Sequence, residues 1–411
     1  MTIAGRFEVK AVVVLGLAFS CFVAEAISRR GLIDAGPTDF NVNSYGAKAD
    51  DKTNNEQAFM KAWVAACKSS GPAAKLVFPK GTYLTGPVTF AGPCTVSEIT
   101  VEVQGTIKAT TDVSDYSSPE WFSFESIDGL TLYGTGGGFN GQGEASWKYN
   151  DCQHNSQCQL LATSIYFRRL NNTIVHGITS LNSKSFHTHV VGCQNFTAYN
   201  LTITAPANSP NTDGMHISMS NLVNISNSVI GTGDDCISIG QGNTNISITK
   251  ITCGPGHGIS IGSLGKYDDE KDVSGIVVTN CTFKNTTNGA RIKTWPGSPP
   301  SKASSITFQD IIMDMVQNPI IIDQKYGSHK SAPSRVQISD VHFKNIVGTT
   351  TSEVAVTLSC SSQVPCQGVE LFDIDLDYMG MSAVKDVVQF SNSCLNAKVK
   401  SGGKQHPPAC H

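Results

Sequence analysis

The sequence predicts an all-β solenoid, a single-domain parallel β-helix with a helix capping its N-terminal end, and three observations carry that prediction. From Thr173 onward, four mostly apolar positions recur at offsets 0, 2, 5 and 7, with starts 23 to 33 residues apart and Asn or Asp usually at offset 4. A companion strand follows the copies, as in Cys236-Ile237-Ser238-Ile239 and Gly258-Ile259-Ser260-Ile261, which lie 22 residues apart. Charged residues make up only 15% of the chain, against about 25% in an average globular protein. Gly, Ser, Thr and Asn are plentiful instead, a mix that suits short strands joined by tight turns.

The first residues have the pattern of a targeting segment. Arg6 and Lys10 precede an apolar run from Ala11 to Val23, and Ala24-Glu25-Ala26 places small residues at the cleavage-determining positions. Cleavage is expected after Ala26, giving a leader over 1–26 and one catalytic domain over 27–411. The run is too short for a spanning helix, which needs about 20 apolar residues. Next comes the cap, over about 38–95. Within it Thr53 and Glu56 read as a capping box, and Phe59, Ala62, Trp63 and Ala66 recur at helical spacing, so residues 53–67 are expected to form a helix that covers the open end of the stack.

The coils follow. Their copies begin Phe196, Ala198, Leu201, Ile203; then Val223, Ile225, Ser228, Ile230; then Ile246, Ile248, Ile251, Cys253; then Ile276, Val278, Cys281, Phe283. Further copies start at Ile306, Val336 and Val369. Two apolar positions two apart share one face of a strand, and the slip to a gap of three marks a corner. Asn200, Asn227, Asn280, Asp310, Asp340 and Asp373 stand there, where a short polar side chain bonds local backbone and tolerates a left-handed conformation. One such unit cannot bury its apolar side alone, and stacking closes the core. A sandwich or propeller would favour antiparallel hairpins with two-residue turns, which these irregular coils lack. The chain ends in what reads as an irregular, disulfide-tied tail over about 390–411 that contains Cys394, Pro407, Pro408 and Cys410, although sequence alone assigns no partners to the cysteines.

A net charge of −3 and a pI near 6.4 give no basic excess for gripping nucleic acid or an anionic membrane, so neither is expected as a partner. A monomer is expected. Of thirteen cysteines Cys21 falls in the leader, and the twelve others fit a disulfide framework in an oxidising compartment. Sequons at Asn171, Asn195, Asn200, Asn224, Asn245, Asn280 and Asn285 are consistent with a glycoprotein.

Four constellations fall on successive coils: Asn211-Thr212-Asp213, Gly233-Asp234-Asp235, Gly256-His257-Gly258 and Arg291-Ile292-Lys293. Coils stack about 4.8 Å apart, so residues about 22 apart in sequence become neighbours. Asp235 and His257 occupy matching positions, and Asp213 belongs to the coil before. Taken singly, an Asp in a Gly-rich turn is usually a turn former and a lone His usually structural; taken together, three carboxylates, an imidazole and two cations converge. Clustered carboxylates cannot all ionise freely, so a proton is retained that belongs to the cluster. Glycoside hydrolysis needs that pairing of an acid with a carboxylate that activates water. Asp234 and Asp235 are consecutive, so both reach one cleft only from a bulge or turn, which Gly231 and Gly233 permit. Arg291 and Lys293 share a strand face and read as an exposed pair able to hold substrate carboxylates. A calcium site is the rival use for the aspartates.

At these residues the chain resembles the polygalacturonases of glycoside hydrolase family 28, whose four signatures it matches without substitution. The resemblance runs from about Phe40 to Cys410. It implies a right-handed, pectin lyase-like β-helix that hydrolyses the α-1,4 bonds of polygalacturonate with inversion. Asp234 is implied as general acid, Asp213 and Asp235 as positioning water, and His257 as tuning the acid. Arg291, Lys293 and Asn211 are implied to hold substrate, with no metal and no cofactor. Disulfides Cys236 to Cys253, Cys360 to Cys366 and Cys394 to Cys410 are implied as well. The stretch from Cys253 to Val273 looks most like the plant pollen branch, whose members are commonly exo-acting, and a Cys152 to Cys158 loop could help close the cleft. Secretion to the cell wall follows. The alternatives are an endo-acting enzyme, a β-helix lyase using calcium or an Arg base, and a non-catalytic wall-binding protein.

Overall fold

The inward side chains of successive coils stack on like side chains, and that stacking is what the repeat encodes. In the computed structural model, which describes residues 36–151, 155, 158, 160–327, 332–380 and 389–410, strands pair in parallel in two sheets of 19 and 11 strands. The chain alternates between the two sheets, so each turn of a right-handed β-helix adds a strand to both. Ile237, Ile259, Ile239 and Ile261 point inward, wholly buried, with Ile237 opposite Ile259 and Ile239 opposite Ile261. Nearer the N-terminal end aromatic rings fill the same space: Phe90, Phe124, Phe167 and Phe196 follow one another at centroid distances of 5.7, 5.5 and 5.1 Å. The leader expected over 1–26 lies outside the described residues, as does Cys152 and with it the expected tie to Cys158.

The corners are left-handed, as expected: Asn200, Asn227, Asn280, Asp310 and Asp373 have φ between 49° and 55°. A second left-handed column precedes each copy and includes Asn195, Leu222, Asn245, Ser305 and Asp340. Asp340 thus belongs to this second corner. The copy read from Val336 is five residues out of register, because Val341, Phe343 and Ile346 lie opposite Ile306, Phe308 and Ile311. The misreading has a plain cause. Val336–Thr350 is one continuous strand element, and its apolar run fits the 0, 2, 5, 7 spacing from either start.

The cap helix α1 spans Glu56–Cys67 and buries Phe59, Ala62, Trp63 and Ala66. It starts later than expected, and the capping box does not form. Thr53 Oγ1 instead donates to Asp50 Oδ2 at 2.8 Å. The Asn55 amide donates to the carbonyls of Lys48, Thr53 and Leu84, sewing the helix start to the first coils. The three implied disulfides are present, and Cys67 to Cys94 adds a fourth at the end of α1. Cys193 and Cys281 remain buried thiols, so not all twelve cysteines pair; Cys281 fills an inward repeat position as a small apolar side chain. The C-terminal tail is not irregular. Ser391–Leu395 and Ala397–His406 form one more coil, pairing with Val354–Ser359 and Cys366–Tyr378. Few apolar residues announce it, since the open edge of the coil beneath supplies the hydrogen-bonding template.

Candidate active site

Strands Met215–Ser218, Ile237–Ile239, Ile259–Leu264 and Asn288–Thr294 are consecutive in the 11-stranded sheet. Met215 lies opposite Ile237, and Ile237 opposite Ile259. Asp213, Asp235 and His257 each precede those residues by two and therefore share one column at the strand entrances. Asp234 reaches the site from a bend rather than a strand, as the two adjacent aspartates require. Gly233 makes that bend possible, since a Cβ there would run into the backbone of Ser209, and Gly233 N–H donates to Thr212 Oγ1 at 3.0 Å. The Cys236 to Cys253 disulfide closes the same segment.

The three carboxylates occupy different surroundings. Asp235 is buried and accepts from Ser260 Oγ at 2.8 Å and Arg291 Nη2 at 2.6 Å on Oδ1, and from Lys293 Nζ at 2.8 Å on Oδ2. Burial alone would raise its proton affinity, but the two cations overcome it and hold the carboxyl at about 2. Asp213 is also buried, yet among the described residues no cation bonds it directly; Ser238 Oγ donates to its Oδ2 at 2.6 Å. Burial, then the charges of Asp234 and Asp235, push it well above the usual carboxylate range. Asp234 is the most open of the three, with its side chain 24% exposed and Oδ1 3.0 Å from His257 Nδ1. The same Oδ1 accepts the Asp235 backbone N–H at 2.9 Å.

Arg291 and Lys293 share a face of their strand as expected, but they are not exposed: 8% and 6% of their surfaces are accessible. Their charge is committed to Asp235, which keeps both protonated against the cost of burial. Tyr326 covers them, its ring centroid 4.9 Å from Lys293 Nζ and 6.0 Å from Arg291 Cζ. Asn211 sits in a left-handed conformation and accepts from Asn150 Nδ2 at 3.0 Å. The donor set does not suit calcium. Asp234, Asp235 and His257 bring ligand atoms within 4.8 Å of one another, but both oxygens of Asp235 already accept from cations.

Sequence reasoning did not find Ser238, Ser260, His216, Asn150 or Tyr326. A signal for three of them exists: His216, Ser238 and Ser260 each stand three residues after Asp213, Asp235 and His257, the outward position of their strands, and Arg291 continues that column.

The model of the glycosyl hydrolases family 28 matches residues 67–401. The chain is 49% identical over 416 residues to the exopolygalacturonase clone GBGE184 of Arabidopsis thaliana, covering 99% of this chain and 97% of that protein. It is 47% identical to an exopolygalacturonase of Platanus acerifolia, covering 92% of this chain and 99% of that one. Among solved structures, the exopolygalacturonase of Thermotoga maritima superposes with a TM-score of 0.75 at 19% identity, covering 89% of this chain and 91% of that chain. At that identity the likeness speaks for the fold alone.

Proposed function

The chain belongs to the glycosyl hydrolases of family 28, and on that premise we propose that it hydrolyses polygalacturonate, releasing single galacturonate units from the non-reducing end. The observation that carries the chemistry is the unequal treatment of three neighbouring carboxylates. Asp235 is ionised by its cations, and the proton that the three carboxylates retain belongs to the cluster as a whole rather than to one residue. When a glycosidic oxygen approaches the open Asp234, that proton is delivered to the leaving group, and His257 holds the carboxyl in place. Asp213 is then a carboxylate and, with Asp235, orients and deprotonates the attacking water. Water placed between buried carboxylates and sugar, opposite the acid, gives inversion. Lys293 and Arg291 keep spare N–H groups beneath Tyr326, and Asn211 stands at the other flank; these are the contacts proposed for substrate carboxylates and hydroxyls. Galacturonate carries one carboxylate per unit, which suits a cleft with fixed cations.

A lyase reading with an arginine base meets an obstacle in Arg291, whose Nε and Nη2 donate to Ser260 and Asp235 and whose charge Asp235 stabilises. The exo mode is favoured by the similarity to plant exopolygalacturonases. Secretion to the cell wall is supported by four disulfides among the described residues, which fit an oxidising compartment. The test follows reducing ends, viscosity and product size together on polygalacturonate with chelator present, alongside Asp234→Asn. Expected are monomer as the first product, little early loss of viscosity, no unsaturated product, and a loss of about 10²- to 10⁴-fold in kcat for the variant. Early mixed oligomers with collapsing viscosity would show endo action; no new reducing ends would leave a wall-binding protein.

A further inference from the structure

The two buried carboxylates are each held by a serine, and the two serines are backed differently. Ser260 Oγ donates to Asp235 Oδ1 and receives Arg291 Nε, both at 2.8 Å. A guanidinium can only donate, so the one hydroxyl hydrogen of Ser260 must point at Asp235, which meets it as an acceptor. Ser238 Oγ lies 2.6 Å from Asp213 Oδ2 and 2.8 Å from His216 Nδ1. A neutral imidazole either donates or accepts at Nδ1 according to its tautomer. The second chain can therefore run in two directions. With hydrogen on Nδ1, His216 donates to Ser238 and Ser238 donates to Asp213 Oδ2, an arrangement that favours the carboxylate. With hydrogen on Nε2, Ser238 turns to His216, and Asp213 bonds Ser238 only as a carboxylic acid.

His216 is built into its place. It stands opposite Ser238 in the ladder, with the Phe186 ring stacked at 5.0 Å and the edge of His189 at 4.9 Å. Gly240 leaves it space, since a Cβ there would lie 3.1 Å from Cε1 and Nε2. Burial, then the charge of Lys293, lowers its proton affinity to about 4 against a weaker opposite pull from Asp235. The neighbouring His189 is pushed well below its ordinary value by burial, His216 and Arg168. Both rings are thus neutral in mildly acidic surroundings, and the question for His216 is where its single hydrogen sits.

We propose that His216 is a positioning residue for the hydrolysis: by presenting its Nδ1 hydrogen to Ser238 it keeps the Ser238 hydroxyl aimed at Asp213 and so stabilises the carboxylate that must form there to take a proton from water. The inference rests on the hydrolytic reading of the site. His216→Phe keeps a ring on Phe186 and removes the donor, whereas His216→Asn restores an amide N–H near the Nδ1 position. Ser238→Ala should lower kcat by about 10- to 100-fold, the worth of one hydrogen bond to a charged group, and His216→Phe, which acts through Ser238, by no more than that, each with KM within about twofold. Because the variants leave Asp213 harder to ionise, the acidic limb of the kcat/KM profile should move to higher pH. Both variants leave in place the other groups that titrate or carry charge around the ring, namely His189, Arg168, Asp234, Asp235, His257, Arg291 and Lys293, of which His189 also feels the loss of His216 in His216→Phe. His216→Asn should recover part of the rate, and the double variant should be no slower than Ser238→Ala alone. Losses that multiply in the double variant, a change confined to KM, or an unmoved acidic limb would overturn the proposal. Should His216→Phe fail to fold, the Asn variant and its double with Ser238→Ala complete the same cycle. A wild type that yields no reducing ends brings down the hydrolytic reading itself, whatever the variants do.

Discussion

At the scale of single residues, Asp213 and Asp235 act on stability in opposite senses. Asp235 ionises near 2 in the fold, below the ordinary 3.8, so it contributes stability above about pH 4 that is lost as pH falls toward 2. Asp213 holds its proton in the fold to a pH well above the ordinary value. Above about pH 4 the unfolded chain releases that proton while the folded chain keeps it, and stability is lost as pH rises. Asp213→Asn should therefore raise the melting temperature at pH 7, with the gain shrinking toward pH 4, while activity falls severely. Thermal unfolding at pH 4, 5.5 and 7 checks this, and a uniformly lower melting temperature would refute it. The three aspartates and His257 were legible because the repeat period places residues about 22 apart side by side. Ser238 and His216 were not, since a serine between isoleucines looks like ordinary alternation and its partners stand one coil away. The burial of Arg291 and Lys293 was hidden for the same reason: spacing along a strand gives the face but not what covers it.

At the scale of elements, the corners show how much local chemistry the fold uses. Asn195 Nδ2 donates to Asn172 Oδ1 at 2.8 Å and Asn245 Nδ2 to Asn221 Oδ1 at 2.9 Å. Between them in the second corner column stands Leu222, with φ at 56° and 46% exposed. A leucine there gains little from burial and bears the left-handed penalty of about 1–2 kcal/mol, which Asn partly escapes. Leu222→Asn is expected to stabilise by about 1 kcal/mol, read from denaturant midpoints at unchanged slope; an unchanged or lower midpoint would count against this account of the corners. The first corner column was readable because its Asn and Asp recur at a fixed offset. The second was not, for Leu222, Ser305 and several glycines occupy it, and at Val336 its residues mimic the next copy. The missing capping box at α1 has a similar origin, since Asp50 competes for Thr53 through contacts that the helix pattern does not display.

At the scale of the whole molecule, a stack of parallel coils has two ends to protect. The last strand, Ala397–His406, exposes Lys398, Lys400 and Lys404, and such charge on a terminal strand discourages another from pairing with it. The first end relies on α1, whose Trp63 lies flat on Phe90 at 4.6 Å and donates Nε1–H to the Ala91 carbonyl at 3.0 Å. Trp63→Ala should cost about 3–5 kcal/mol and promote association through the uncovered end, seen as lower thermal stability and larger particles by light scattering. A monodisperse variant of unchanged stability would show that the helix is dispensable. The ladder that runs between these ends also sets the reach of the cleft. Asp213 and Lys293 belong to coils three steps apart, about 14 Å at the strand spacing, and no side-chain substitution can make that interval two and a half steps. The enzyme measures its polymer with a ruler graduated in whole coils, so a longer or shorter grip on the chain requires the insertion or deletion of a complete turn.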